Sequence, residues 1–303
     1  MYRSRRFGPM TRFAIFLALL LALAHSAPAA EPVGDKLRQL GAKLREEHGA
    51  IVELNADAKN FTEAEYRLIG QCTRLKKLSL NGKTLTDTTL PLLAGLTELE
   101  EFSCNGSTLS DDGYRHFAAF KKLRSLALWH PSGGVKDFTG AGLAHLKSLP
   151  NLQRLTFAGS AAGDAMLAAV GQLTQIRDFS TWHTAQTQAG NAHLLKLPHL
   201  MSLRIGQRLL WGKPTAPSLD DSTLATLAQI KSLESLEVSE ARLTGPALQQ
   251  FKSLPNLKHL SIRASDVSDA DIQALRSALP AVKIDFKPIT AEERDMLVKK
   301  LKL

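Results

Sequence analysis

The sequence predicts a repeat protein of the α/β class, a stack of strand–turn–helix units. Three observations lead there. An L-x-x-L-x-L spacing recurs at Leu75/Leu78/Leu80, Leu123/Leu126/Leu128 and Leu152/Leu155/Phe157, with starts at residues 51, 75, 99, 123, 152, 176, 200, 233 and 257. Six of the eight steps are 24 residues and the other two are 29 and 33, so a fixed unit has received two insertions. Each unit changes from period two to three-residue spacing, as in Leu90/Leu93/Leu96 and Leu248/Phe251/Leu254, the mark of a short strand followed by a helix.

The elements follow in chain order. Arg3, Arg5, Arg6 and Arg12 precede an apolar run from Phe13 to Ala24, and Ala27-Pro28-Ala29 matches an A-x-A cleavage pattern. Residues 1–29 are therefore expected to be a secretory signal peptide, too short in its apolar part to span a bilayer comfortably. Residues 30–50 are expected to form an N-terminal capping helix running through Leu37, Leu40 and Leu44. Residues 51–280 hold nine repeats. Ten residues after each start comes an apolar loop residue such as Phe61, Leu85, Leu109, Ala162 or Leu243, with Phe138 and Leu219 in the two extended units. Residues 281–303 read as a C-terminal cap, a shortened repeat with a strand at Ile284 and Phe286. There Thr290 and Glu293 form a capping box ahead of Met296, Leu297 and Leu301.

One such unit cannot bury its own leucines; neighbours bury them for each other. Units such as LKKLSLNGKTLTDTTLPLLAGLTE resemble the leucine-rich repeat family of bacterial type, over roughly residues 50–280. The resemblance implies a right-handed horseshoe solenoid, with a parallel concave sheet, convex helices and protein–protein interaction as its role. Repeat 6 departs most, with Thr181 at a leucine position and Gln186 at the apolar loop position.

Composition narrows function. Of 303 residues, 38 are Lys or Arg and 29 are Asp or Glu, a formal charge of +9. Removing the four arginines of the leader leaves +5, too mild to support nucleic-acid binding. Cys72 and Cys104 fall at core positions too far apart for a disulfide and read as buried thiols. No nucleophile-elbow, zincin, phosphate-loop or dinucleotide motif occurs, and no cofactor is called for.

Glu63, Asp87, Asp111, Asp164, Asp221 and Asp269 share one repeat position. Such a column could serve calcium or a hydrolase. Each residue stands just before a helical segment, however, and helix capping is the favoured role. His116, His145 and His193 also share a position, on the outward helical face, and read as a solvated row with no metal.

Tryptophan is more informative. Trp129-His130 and Trp182-His183 occupy the same place in repeats 4 and 6. Side-chain alternation points both tryptophans to the concave face, about 10 Å apart, over the small residues Ala158-Gly159. Both insertions enter at one edge, near Pro131–Val135 and within Gln207–Pro217, and the second carries Trp211. Trp129, His130, Trp182, His183, Arg204 and Trp211 are thus the candidate binding residues, and local packing that shields the sheet edge is the alternative. The leading functional reading is a non-enzymatic exported scaffold for a protein or peptide partner, in the periplasm, envelope or outside the cell. A small ligand or glycan between Trp129 and Trp182 comes second. A hydrolase or calcium-binding protein using the Asp column comes third.

Overall fold

The computed structural model describes residues 32–208 and 217–301. The leader expected at residues 1–29 and Trp211 lie outside the described residues. Within them one eleven-stranded sheet runs in strict chain order. Its strands are β1 (Lys43–Glu47), β2 (Ala50–Asp57), β3 (Lys77–Asn81), β4 (Glu101–Asn105), β5 (Ser125–Trp129), β6 (Arg154–Ala158), β7 (Asp178–Thr181), β8 (Ser202–Gly206), β9 (Ser235–Ser239), β10 (His259–Arg263) and β11 (Lys283–Phe286). From β2 to β11 every pairing is parallel and in phase, so each recurrent leucine sits beside its counterpart: Leu54, Leu78, Phe102, Leu126, Leu155, Phe179 and onward to Ile284. All of these are buried. The result is an open α/β solenoid whose single apolar core extends its whole length.

The return limbs are short helices. They are α2 (Glu63–Gly70), α3 (Asp164–Val170), α4 (Gln188–Asn191), α5 (Asp221–Leu227), α6 (Gly245–Leu248) and α7 (Asp269–Ala278). Repeats 2, 3 and 4 use 3-10 turns instead, at Leu90–Leu93, Asp112–Ala119 and Ala141–Ser148. In repeats 2 and 3 these turns return the chain between strands 24 residues apart, and in repeat 4 between strands 29 apart.

The N-terminal cap differs from the expectation. Helix α1 covers only Val33–Gln39 and buries Leu37. Gly41, at φ 82°, takes the left-handed conformation that ends helices, and Leu40 is left 40% exposed. Leu44 lies in β1, opposite Leu54 of β2. The two strands are antiparallel around His48-Gly49, both at positive φ, the signature of a tight hairpin turn. A hairpin thus completes the cap in place of the second half of the helix.

At the other end β11 stacks as a tenth strand. The Thr290–Glu293 capping box forms, with Glu293 N donating to Thr290 Oγ1 at 3.2 Å and Thr290 N to Glu293 Oε2 at 2.8 Å. The helix it opens, α8 (Ala291–Leu301), buries Leu297 and Leu301 but leaves Met296 64% exposed. It then runs back along the solenoid. Arg294 meets Asp266 of repeat 9 at 2.8 Å, and Lys300 meets Glu240 of repeat 8 at 3.3 Å. Leu301 borders a cleft with Pro217, Leu219 and Arg242, beside the second insertion.

Four residues of the acidic column, Asp87, Asp111, Asp164 and Asp221, bond to the helix start of the next unit, whereas Glu63 pairs with Arg67 of its own helix at 3.2 Å. Asp87 accepts from Ser110 N at 3.0 Å and from its hydroxyl at 2.6 Å. Asp164 does the same for Thr187, at 2.7 Å for both bonds, and Asp221 for Thr244, at 3.0 and 2.7 Å. Asp111 reaches both Thr139 and Gly142 N of the next unit. Each of these four carboxylates therefore locks two repeats together, and its oxygens already accept N–H and O–H donors.

Candidate functional site on repeats 4 to 7

The concave face shows three columns of side chains, at the start, middle and end of the strands. In repeats 4–6 the middle column is small: Ala127, Thr156 and Ser180. The end column carries Trp129, Ala158 and Trp182. Trp129 is paired in register with Ala158, and Gly159 N donates to Trp182 O at 3.0 Å, which places the tryptophans on either side of Ala158. Two strand spacings separate them, about 10 Å. Both are half-buried.

Trp182 is held from behind. Arg204 lies over its ring, with the guanidinium carbon 4.1 Å from the centroid. Arg204 Nε is 2.9 Å from Glu237 Oε1, and Glu237 Oε2 is 3.1 Å from Arg263 Nε. Gly206 sits beneath Trp182, where a Cβ would come within 2.6 Å of the Trp182 Cβ. Only glycine lets this side chain lie down there.

The position after each strand turns the chain out of the sheet. Gly82, Gly106 and Gly159 fill it in repeats 2, 3 and 5, all at positive φ. His130 (φ 48°), His183 (φ 52°), Glu240 (φ 61°) and, outside the candidate site, Ala264 of repeat 9 (φ 46°) hold positive φ without being glycine. Each such residue costs about 1–2 kcal/mol against glycine, and local strain of this kind gathers at functional positions.

The two histidines are fixed in opposite senses. Asn105 Nδ2 donates to Asn81 Oδ1 at 3.1 Å, so the Asn105 Oδ1 that faces His130 Nδ1 at 2.9 Å can only accept. Neutral His130 therefore carries its proton on Nδ1 and offers Nε2 as an acceptor at the exposed surface. His183 Nε2 instead reaches across repeat 7 to Glu240 Oε2 at 2.6 Å. Burial of Glu240 opposes its ionisation, but the hydrogen bond from His183 and the Lys300 ammonium outweigh it and hold this carboxyl below the usual glutamate range.

Behind Trp182 the core is polar. Thr181, Thr184, Gln186, Asn191 and Gln207 are fully buried. Thr184 Oγ1 donates to Gln186 Oε1, and Asn191 Nδ2 donates to Ser218 O at 2.6 Å. Gln207 clasps the base of the second insertion: its Oε1 accepts from Ser218 N at 2.7 Å and Leu219 N at 3.2 Å, and its Nε2 donates to Leu219 O at 3.0 Å. The departure of repeat 6 from the leucine pattern is thus a connected hydrogen-bond network. The first insertion folds against repeat 3, where Ser132 Oγ donates to Leu109 O at 2.6 Å and Ser132 N to Ser107 O at 2.8 Å.

The structure brings Trp129, His130, Trp182, His183 and Arg204 to one stretch of the concave end. Sequence reasoning missed Glu240, Glu237, Asn105 and Gln207. The available signal was the glycine position itself, where a polar residue (histidine, glutamine or glutamate) stands in repeats 4, 6, 7 and 8, against alanine in repeats 1 and 9. The histidines His116, His145 and His193 stay on the outer turns. Among the described residues no three His, Cys, Asp or Glu side chains gather as a metal site. Cys72 and Cys104 are buried and unbonded to each other, and burial pushes their thiols up to about 11 and about 12.

The repeat length, the in-phase parallel sheet and the outer short helices define a leucine-rich-repeat solenoid. Solved structures similar to it include an internalin C2 from Listeria monocytogenes, at 15% identity over 85% of this chain and 92% of that one, TM-score 0.47. An LRR protein of Leptospira interrogans matches at 18% identity over 78% and 72%, TM-score 0.38. TLR13, solved in complex with ssRNA13, matches at 16% over 80% of this chain and 33% of that one, TM-score 0.48. No family model and no curated protein matches the chain. Among the described residues no helix is long and apolar enough to cross a membrane.

Proposed function

We propose that the protein is a non-enzymatic, exported recognition scaffold that holds a protein or peptide partner on the concave end of repeats 4–7. Trp129, Trp182, His130, His183 and Arg204 form the contact surface; Trp211, the sixth residue expected there, lies outside the described residues. The observation that carries this reading is the pairing of half-buried tryptophans with non-glycine residues at strained positions: His130 and His183 stand where glycine would fold with less strain. Large aromatic side chains in such surroundings are the usual anchors of interfaces. The export signal read at residues 1–29 places the scaffold in the periplasm, the envelope or outside the cell.

The test is affinity capture from the native envelope fraction with the wild-type protein and with Trp129→Ala/Trp182→Ala. Specific partners should be lost with the double variant while its circular dichroism is unchanged; equal capture by both sinks the reading. A second reading, a glycan or small ligand between the tryptophans, is favoured by the hydroxyl floor of Thr156 and Ser180. Saturable quenching of tryptophan fluorescence by a member of a glycan panel would select it over a protein partner.

A further inference from the structure

The opposite, N-terminal edge of the same strands has not entered the site so far, and its charge is uneven along the stack. Repeat 3 presents Glu100 and Glu101, and repeat 8 presents Glu234. Between these acidic units, repeats 4–6 present Arg124, Arg154 and Arg177 against a single carboxylate, Asp178, and repeat 7 presents the uncharged Met201 and Ser202. The arginines are only loosely engaged. Arg124 is 3.7 Å from Glu100 and Arg154 is 3.6 Å from Glu101, both at the far limit of an ion pair, and their side chains are 69% and 57% exposed. Arg177 leans on the Met201 sulfur at 3.7 Å. Asp178 is half-buried and already faces Arg154 and Ser202.

We infer that the partner presents a short acidic segment, which lies across repeats 4–6 with its carboxylates on Arg124, Arg154 and Arg177 and runs on along β5 to set an apolar side chain against Trp129. The inference rests on the recognition surface proposed above and adds the partner's chemistry. Trp182 already carries the Arg204 guanidinium, which leaves Trp129 as the anchor open to a partner side chain. The size follows from the sheet. The three strands that carry the arginines span about 10 Å and the reach along β5 to Trp129 is about 17 Å, which an extended peptide covers with about eight residues. The same bound argues against a nucleic acid, because a strand of phosphates running on along this edge would meet Glu100 and Glu101 at one side and Glu234 at the other.

The experiment is panning of a random twelve-residue peptide display library on the intact protein, on Trp129→Ala/Trp182→Ala and on Arg124→Gln/Arg154→Gln/Arg177→Gln. The arginines are exposed, so their variant should fold as the wild type does by circular dichroism. Peptides recovered on the wild type should be enriched in Asp and Glu beside an aromatic or aliphatic residue. The best of them should bind about tenfold more weakly to the arginine variant in low salt, and the difference should shrink in high salt. Tryptophan-dependent peptides without acidic enrichment would overturn the inference and leave the recognition surface standing. Recovery independent of the tryptophans, or no binders, would overturn both. Displacement of the acidic peptides by a twelve-nucleotide mixed-sequence RNA at lower concentration than by the peptides themselves would assign the arginines to a nucleic acid and overturn the acidic-peptide reading.

Discussion

Repeats 2 and 3 and repeats 6 and 7 share one backbone frame and fill it in opposite ways. In the first pair Leu80 and Cys104 occupy the second inward strand position, Leu85 and Leu109 the loop, and Gly82 and Gly106 the left-handed corner. In repeat 6 Thr181, Gln186 and His183 take those three places, and Gln207 takes the corner in repeat 7. The strand register is undisturbed. The frame therefore tolerates buried polar groups when they bond one another, and it gains from them a rigid base for the second insertion and a support behind Trp182. An apolar core stacks units with little further demand on identity; a polar one ties particular residues together.

The comparison can be broken first at Gln207. Gln207→Ala leaves Ser218 N and Leu219 N without their acceptor in a buried place. Urea unfolding should show a loss of about 3 kcal/mol, and amide exchange should rise in repeats 6–8 before it rises in repeats 2 and 3. A fall shared evenly along the stack would contradict the clasp. The inter-repeat carboxylates come next. Asp111→Ala removes acceptors from Thr139 and Gly142 and should cost about 2 kcal/mol, visible as a lower urea midpoint.

Making repeat 6 resemble repeat 2 sharpens the contrast. Gln186→Leu alone leaves the Thr184 hydroxyl only its long contact with Thr181 at 3.5 Å and should destabilise by about 1–2 kcal/mol, whereas Thr184→Val/Gln186→Leu should recover part of that loss. Thermal melts of the two variants and the wild type decide it; a double variant as weak as the single would show that the network is not the reason. At the corner, His130→Gly relieves the left-handed strain and loses the Asn105 hydrogen bond. Stability should move by less than about 1 kcal/mol, while partner capture falls.

The smallest effect concerns acid. Glu240 ionises more readily in the folded than in the unfolded chain. Its contribution is in place above the unfolded glutamate pKa of about 4.3 and fades as pH falls through the lower folded value. Glu240→Gln should flatten the stability profile between those two values and leave the profile above pH 6 parallel to wild type.

The fold was legible because six apolar positions return in nearly every unit, and periodic burial needs no knowledge of partners. The cap was not, because Leu40 and Leu44 keep helical spacing and the decisive residues are Gly41 and the His48-Gly49 turn. The tryptophan pair could be placed by alternation alone. Its supports could not: His183 meets Glu240, 57 residues away, and Gln207 closes a loop upon itself. Which polar side chain answers which is set by neighbours in space. A linear pattern gives the rows of the stack and leaves the diagonals between them unread.

Helix α8 crosses those rows. Arg294, Lys300 and Leu301 rest in turn on repeats 9, 8 and 7, so eleven residues act as a splint over three joints. A flexing motion of the C-terminal third must first lift that splint, and its last turn grips the glutamate that steadies His183. The stiffness of the hollow beside Trp182 is thereby governed from the side of the array, by a segment that belongs to none of the nine repeats.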